Sequence, residues 1–185
     1  MTRQQGEYDL AVLGTCGSGK LALTFQYTSF LEEQFPDNKY SLRKYVKIDD
    51  EPYFLDFLDN TGNEEYRALL DQTMRCGSGF LLVYRVSDRN TFEPMNDLYE
   101  QILVKKDAEK VPMVLVGNRF KMESERQVTF EEGKRFARDI NIPFFEVETT
   151  EDIIQAFTTL VCEIRKTKPN HIPIQIPQKK SCELL

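Results

Sequence analysis

The chain has one histidine, His171, and four cysteines (Cys16, Cys76, Cys162 and Cys182) with no C-x-x-C pair among them. A zinc site or a disulfide framework is therefore not expected, and a reducing, cytoplasmic setting is the natural one. Positive charge is not in excess: the net charge is -6, which provides no basic face for nucleic acid. No apolar run is long enough to span a bilayer, and the first residues lack the pattern of a signal peptide. No internal repeat and no second globular unit is evident. What is present suits one domain with a single core: 185 residues, 41% hydrophobic and 29% charged.

The most informative stretch runs from Leu10 to Leu21, an apolar strand feeding a glycine-rich turn and then a helix. Gly14, Gly19 and Lys20 fit G-x-x-x-x-G-K, in which backbone N–H groups and a lysine surround a polyphosphate. The motif next requires Ser or Thr, whose hydroxyl ligates Mg²⁺, but the residue is Leu21.

Further along, the pattern predicts strands over Tyr8–Leu13, Tyr45–Ile48, Tyr53–Leu58, Phe80–Val86, Met113–Val116 and Pro143–Val147. Asp49–Pro52 reads as a hairpin turn, and Glu32–Lys39 as a loop. Helices are predicted over Leu21–Phe30, Glu65–Arg75 and Thr91–Lys105, the last with Thr91 as N-cap and Pro94 in its first turn. Thr129–Glu132 opens another helix as a capping box, and Ile153, Ile154, Phe157, Leu160, Val161 and Ile164 mark the apolar face of a final one. This alternation argues for an α/β fold with a mostly parallel sheet. The domain is expected over residues 1–166, followed by an extended tail, 167–185, punctuated by Pro169, Pro173 and Pro177. The tail ends Cys182-Glu-Leu-Leu185, a prenylation-type motif whose terminal Leu points to geranylgeranyl at Cys182.

Several of these stretches together resemble the Ras family of small GTPases over nearly the whole chain. The resemblance rests on Gly14–Lys20, on Asp59-Asn-Thr-Gly-Asn-Glu-Glu-Tyr66 where the family has D-T-A-G-Q-E-E-Y, on Val111–Asn118, and on the Cys182 tail. It implies a three-layer phosphate-loop fold, with a six-stranded, mostly parallel sheet, one antiparallel strand and five helices. It also implies a GTP/GDP switch with Mg²⁺, using phosphoryl transfer by positioning and electrostatics.

Residue by residue, the resemblance implies phosphate contacts from Gly14, Gly17, Ser18, Gly19, Lys20 and Gly62. For the metal, Leu21 replaces the family's hydroxyl ligand, leaving Asp59 and Asp37. Asp37 stands where the family has a threonine, and reads either as a replacement ligand or as a solvated loop aspartate. The guanine-reading N-K-x-D is here Asn118-Arg119-Phe120-Lys121, and a lysine offers no acceptor to the ring's N–H groups. That loss corresponds to about 3–6 kcal/mol. Glu148-Thr-Thr150 stands in place of the family's S-A-K loop, and Phe30 matches an aromatic beside the base or a core position on the first helix. The catalytic glutamine is replaced by Asn63, one methylene shorter.

These changes lead to the expectation of a Ras-like pseudo-GTPase, an interaction module with weak or absent GTP binding and hydrolysis. The alternatives are a membrane-anchored switch with slow hydrolysis and a protein that sequesters an exchange factor. Partners are expected at the switch regions (about 34–45 and 61–75). Phe35, Lys39 and Tyr40 fall where the family is acidic, which argues against the usual Ras effectors. A prenyl group at Cys182 would place the protein reversibly on the cytoplasmic face of a membrane.

Overall fold

A computed structural model describes residues 6–38, 43–58, 67–120 and 125–167. The strands are β1 (Glu7–Leu13), β2 (Arg43–Ile48), β3 (Glu51–Leu58), β4 (Gly79–Arg85), β5 (Met113–Asn118) and β6 (Phe144–Val147). The helices are α1 (Lys20–Gln34), α2 (Arg67–Cys76), α3 (Met95–Lys106), α4 (Phe130–Asp139) and α5 (Thr150–Thr167). The sheet order is β2-β3-β1-β4-β5-β6. Only β2 runs antiparallel to its neighbour; the remaining pairs are parallel. This is the expected fold.

β4 and β5 are almost continuously apolar and buried, as strands covered on both faces must be, and β1 is buried from Tyr8 to Leu13 although it carries Asp9. Successive side chains of β1 enter opposite layers. Tyr8, Leu10 and Val12 meet α1 and α5 residues such as Leu23, Tyr27, Phe157 and Leu160. Ala11 and Leu13 face Met74 of α2, Ile102 of α3 and Ala137 of α4. In the first layer the rings of Tyr27 and Phe157 stack with centroids 4.2 Å apart and an interplanar angle of 3°.

Local chemistry explains the boundaries, including those that differ from expectation. Asp49 (φ 52°) and Asp50 (φ 64°) alone form the β2–β3 turn, because two left-handed residues match the twist of a two-residue hairpin. Glu51 and Pro52 therefore belong to β3. α1 continues through Gln34, where a loop was expected. Leu31 is fully buried there, and Lys44 pairs with Glu32 at 2.6 Å, so this last turn has both a core contact and a charge partner. Thr91 is not the N-cap of α3, which begins at Met95 behind Pro94. Its hydroxyl instead accepts from the Arg85 N–H (2.8 Å) and donates to the Asp88 carbonyl (2.7 Å), closing a 3-10 turn after β4.

The capping box at α4 forms as expected. The Thr129 hydroxyl accepts from the Glu132 N–H at 3.2 Å, and the Glu132 carboxylate accepts from the Thr129 N–H at 2.8 Å. Glu132 also receives Arg89 at 2.8 Å. The Thr129 N–H bond foremost, then Arg89, hold its carboxyl down to about 2 from 4.5. Its folded pKa is depressed, so its contribution to stability is complete above the ordinary value and fades as pH falls toward about 2. Urea midpoints of wild type and Glu132→Gln should thus differ near neutrality and converge on acidification from about pH 5 toward about pH 2. A constant gap would contradict this assignment.

Candidate functional site

The glycine-rich loop leaves β1 at Leu13 and enters α1 at Lys20, and other strands shape it as much as its own sequence does. Gly14 has φ 155°, and a Cβ built there would lie 2.2 Å from the Val83 carbonyl oxygen on β4. Gly19 has φ 89°, and its Cβ would lie 2.0 Å from Nδ2 of Asn118. That amide donates to the Ser18 carbonyl at 2.9 Å, while its oxygen accepts from the Phe120 N–H at 3.0 Å. Asn118 thereby ties the end of β5 to the loop.

Lys20 is 7% exposed, and its ammonium donates to the Gly14 carbonyl (2.7 Å) and the Thr15 carbonyl (2.8 Å). An ammonium has three donors, so one is left for an anion among the described residues. Burial lowers its pKa from the ordinary lysine value, and nearby Cys16 partly opposes this. No side chain caps α1 and no acidic residue lies in its first turn, so its N–H groups and dipole also face an incoming anion. The loop fits a phosphate.

At the position of the family's metal ligand the loop is different. Leu21 is 61% exposed on the first turn of α1, with Phe25, 72% exposed, one turn beyond. This turn offers hydrocarbon where a Mg²⁺ ligand would need oxygen. Asp37 is exposed in the 3-10 turn Pro36–Asn38. Among the described residues no group of three or more His, Cys, Asp or Glu side chains is placed to hold a metal. Leu21 thus offers Mg²⁺ no oxygen, Asp37 offers a carboxylate, and Asp59 lies outside the described residues.

The wall beyond Asn118 is formed by the ends of β5 and β6, which are register neighbours through Asn118 and Val147. Arg119 donates its N–H to the Val147 carbonyl at 2.8 Å and its guanidinium to Glu148 at 3.0 Å. The N–H groups of Glu148 and Thr149 both donate to one oxygen of Asp152, at 3.0 and 2.9 Å. Burial would raise the Asp152 carboxyl, but these bonds hold it below its ordinary value. Gln26 of α1 donates to the Thr150 hydroxyl at 3.1 Å. Phe30, a candidate base neighbour, is partly buried and packs against the α1–α5 core.

Gly14, Gly17, Ser18, Gly19, Lys20 and Asn118 thus form one connected unit, with Arg119 adjoining it. Asp59, Gly62, Asn63, Lys121 and Cys182 lie outside the described residues. The roles of Asp152 and Gln26 went unread in the sequence, although Thr149-x-x-Asp152 carries the spacing of a second cap.

Residues 9–166 match the model of the Ras family. The chain belongs to that family. It is 44% identical over 163 residues to Ras-like protein 1 of Saccharomyces cerevisiae, covering 86% of this chain and 53% of the yeast protein. It is 42% identical over 165 residues to Ras-like protein rasB of Dictyostelium discoideum, covering 87% of this chain and 84% of that protein. This Ras-family chain therefore spans about half the length of the yeast relative.

Proposed function

We propose that this Ras-family chain is a signalling interaction module whose phosphate loop persists while GTP binding and hydrolysis are weak or absent. The observation that carries the reading is the exposed Leu21, hydrocarbon on the turn where the family's hydroxyl meets the metal. Asn63, Lys121 and Asp37 depart from the family pattern at three further points: hydrolysis, base reading and the first switch. Partners would meet the switch regions, about 34–45 and 61–75, with a surface that differs in charge from that of usual Ras effectors' targets. A prenyl group on Cys182 would hold the protein reversibly at the cytoplasmic face of a membrane.

Protein denatured after purification should release far less than one guanine nucleotide per chain. Calorimetric titration with GTP, GDP and ATP should show weak binding that Mg²⁺ does not improve. Leu21→Ser with Lys121→Asp should raise affinity for the Mg²⁺–GTP pair by about 100-fold or more. Stoichiometric guanine nucleotide in the wild-type protein would overturn the reading.

A second reading, a nucleotide switch with slow hydrolysis, is favoured by the loop built around Lys20. It requires steady GTP turnover that Lys20→Ala abolishes. The exchange-factor reading requires capture of such a factor by the nucleotide-free protein.

A further inference from the structure

We propose that the chain's own tail, through residues 170–177, adds to the outer edge of β2 as an antiparallel strand. Neither nucleotide binding nor lipid attachment enters into it.

The sheet order leaves β2 outermost, with β3 on its inner side and no strand beyond it among the described residues. Asp49 and Asp50 make a two-residue turn, so Ile48 and Glu51 close the β2–β3 ladder as a bonded pair. Lys47 stands opposite Pro52, which has no N–H to give, and Arg43 stands opposite Asp56 in the same alternate set. Alternation therefore turns the main-chain groups of Arg43 and Lys47 outward, away from β3. Phe54, in that set on β3, likewise sends its N–H away from β2, to the Gly6 carbonyl at 2.9 Å. An outward row of this kind is a template for another strand. The side chains of Arg43 and Lys47 share their face with Tyr45, whose ring centroid lies 5.8 Å from that of Phe54 and 5.0 Å from that of Phe35.

The tail carries the pattern that fits. Ile172, Ile174 and Ile176 alternate with Pro173, Gln175 and Pro177, and Pro169, Pro173 and Pro177 all fall at odd positions. In an extended chain successive residues turn their N–H groups to opposite sides. The odd positions can then face solvent while Asn170, Ile172, Ile174 and Ile176 keep every N–H for β2. Prolines placed so remove no ladder bond, an arrangement confined to edge strands. Each proline also holds the residue before it extended. The same parity puts the isoleucines on the face of Tyr45 and Phe54, because directly opposite residues of an antiparallel pair share a face.

The exit of the chain supports this. Arg165, in the last turn of α5, donates to Asp49 at 2.8 Å, and α5 ends at Thr167. The tail thus leaves beside the β2–β3 turn. Residues 168–171 span up to about 13 Å, against about 7 Å of strand from Asp49 back to Lys47. Since β2 runs into the turn and the tail runs away from it, the pairing is antiparallel.

Amide hydrogen exchange of the isotope-labelled full chain tests this, read by NMR at Arg43 and Lys47. In the wild type both amides should exchange about tenfold or more slowly than unprotected ones. Ile174→Pro removes an N–H from the inward set and should return both to within about twofold of the unprotected rate. Gln175→Pro removes one from the outward set and should leave the protection in place. Unprotected amides in the wild type overturn the proposal. Protection that survives Ile174→Pro comes from another neighbour, such as the segment around Phe35, and overturns it too. Equal loss in both variants does the same, because parity then plays no part. Protection that falls on about hundredfold dilution would put the tail of a second copy on the edge and overturn docking within one chain.

Discussion

Gly14→Ala should destabilise the protein by about 3 kcal/mol or more, and lower its melting temperature by about 10 °C. The reason is the neighbour. An added methyl would sit 2.2 Å from the Val83 carbonyl oxygen and 2.9 Å from the Ser18 hydroxyl oxygen. The carbonyl belongs to β4, an interior strand bonded to both β1 and β5, so it cannot swing aside as a long side chain would. The end of β1 would have to separate from β4, disturbing the floor of the loop. Gly17→Ala is the control. Gly17 has φ 82°, yet nothing lies within 4 Å of its added Cβ. Its penalty is the left-handed backbone alone, about 1 kcal/mol. Thermal melts of the two variants should differ several-fold in their shifts; equal shifts would mean that backbone strain, and not the β4 contact, governs the loop.

Phe157→Ala should cost about 3–5 kcal/mol, the range for emptying a buried aromatic site. Phe157 is fully buried, stacked on Tyr27 and edge-on to Phe57 at 5.9 Å. These three rings join α5, α1 and β3, none of which can close the gap without leaving its other contacts. Phe157→Leu should recover about half of the loss, since it keeps most of the apolar volume. Urea denaturation at neutral pH measures both variants, and a loss below about 1 kcal/mol for alanine would show that the layer repacks.

The strands that organise the fold were legible because burial on both faces writes a continuous apolar run, as in Phe80–Val86 and Met113–Val116. The α4 cap was legible because all its partners lie within four residues. Thr91 was misread as a cap because the same hydroxyl also serves a turn, and the choice depends on Arg85 and Asp88. Glu32–Gln34 read as loop because the burial of Leu31 and the partner Lys44 come from other elements. At the site, spacing pointed to the glycines and Lys20 as candidates, but not to the neighbours that surround them. Gly19 must be small because of Asn118, whose bond to Ser18 joins residues 100 positions apart. The engagement of Glu148 and Thr149 with Asp152 was hidden behind the comparison with a differently built family loop.

A loop held by the two Lys20 bonds and by Asn118 has no ordering step left to complete when an anion arrives. Differences in affinity then fall on the rate of departure. With association at about 10⁶ M⁻¹s⁻¹, a ligand held at about 10 μM leaves at about 10 s⁻¹. Occupancy would follow the surrounding concentration within a fraction of a second. On the reading proposed above, such a loop would keep no time and would act as a gauge of the phosphates around it.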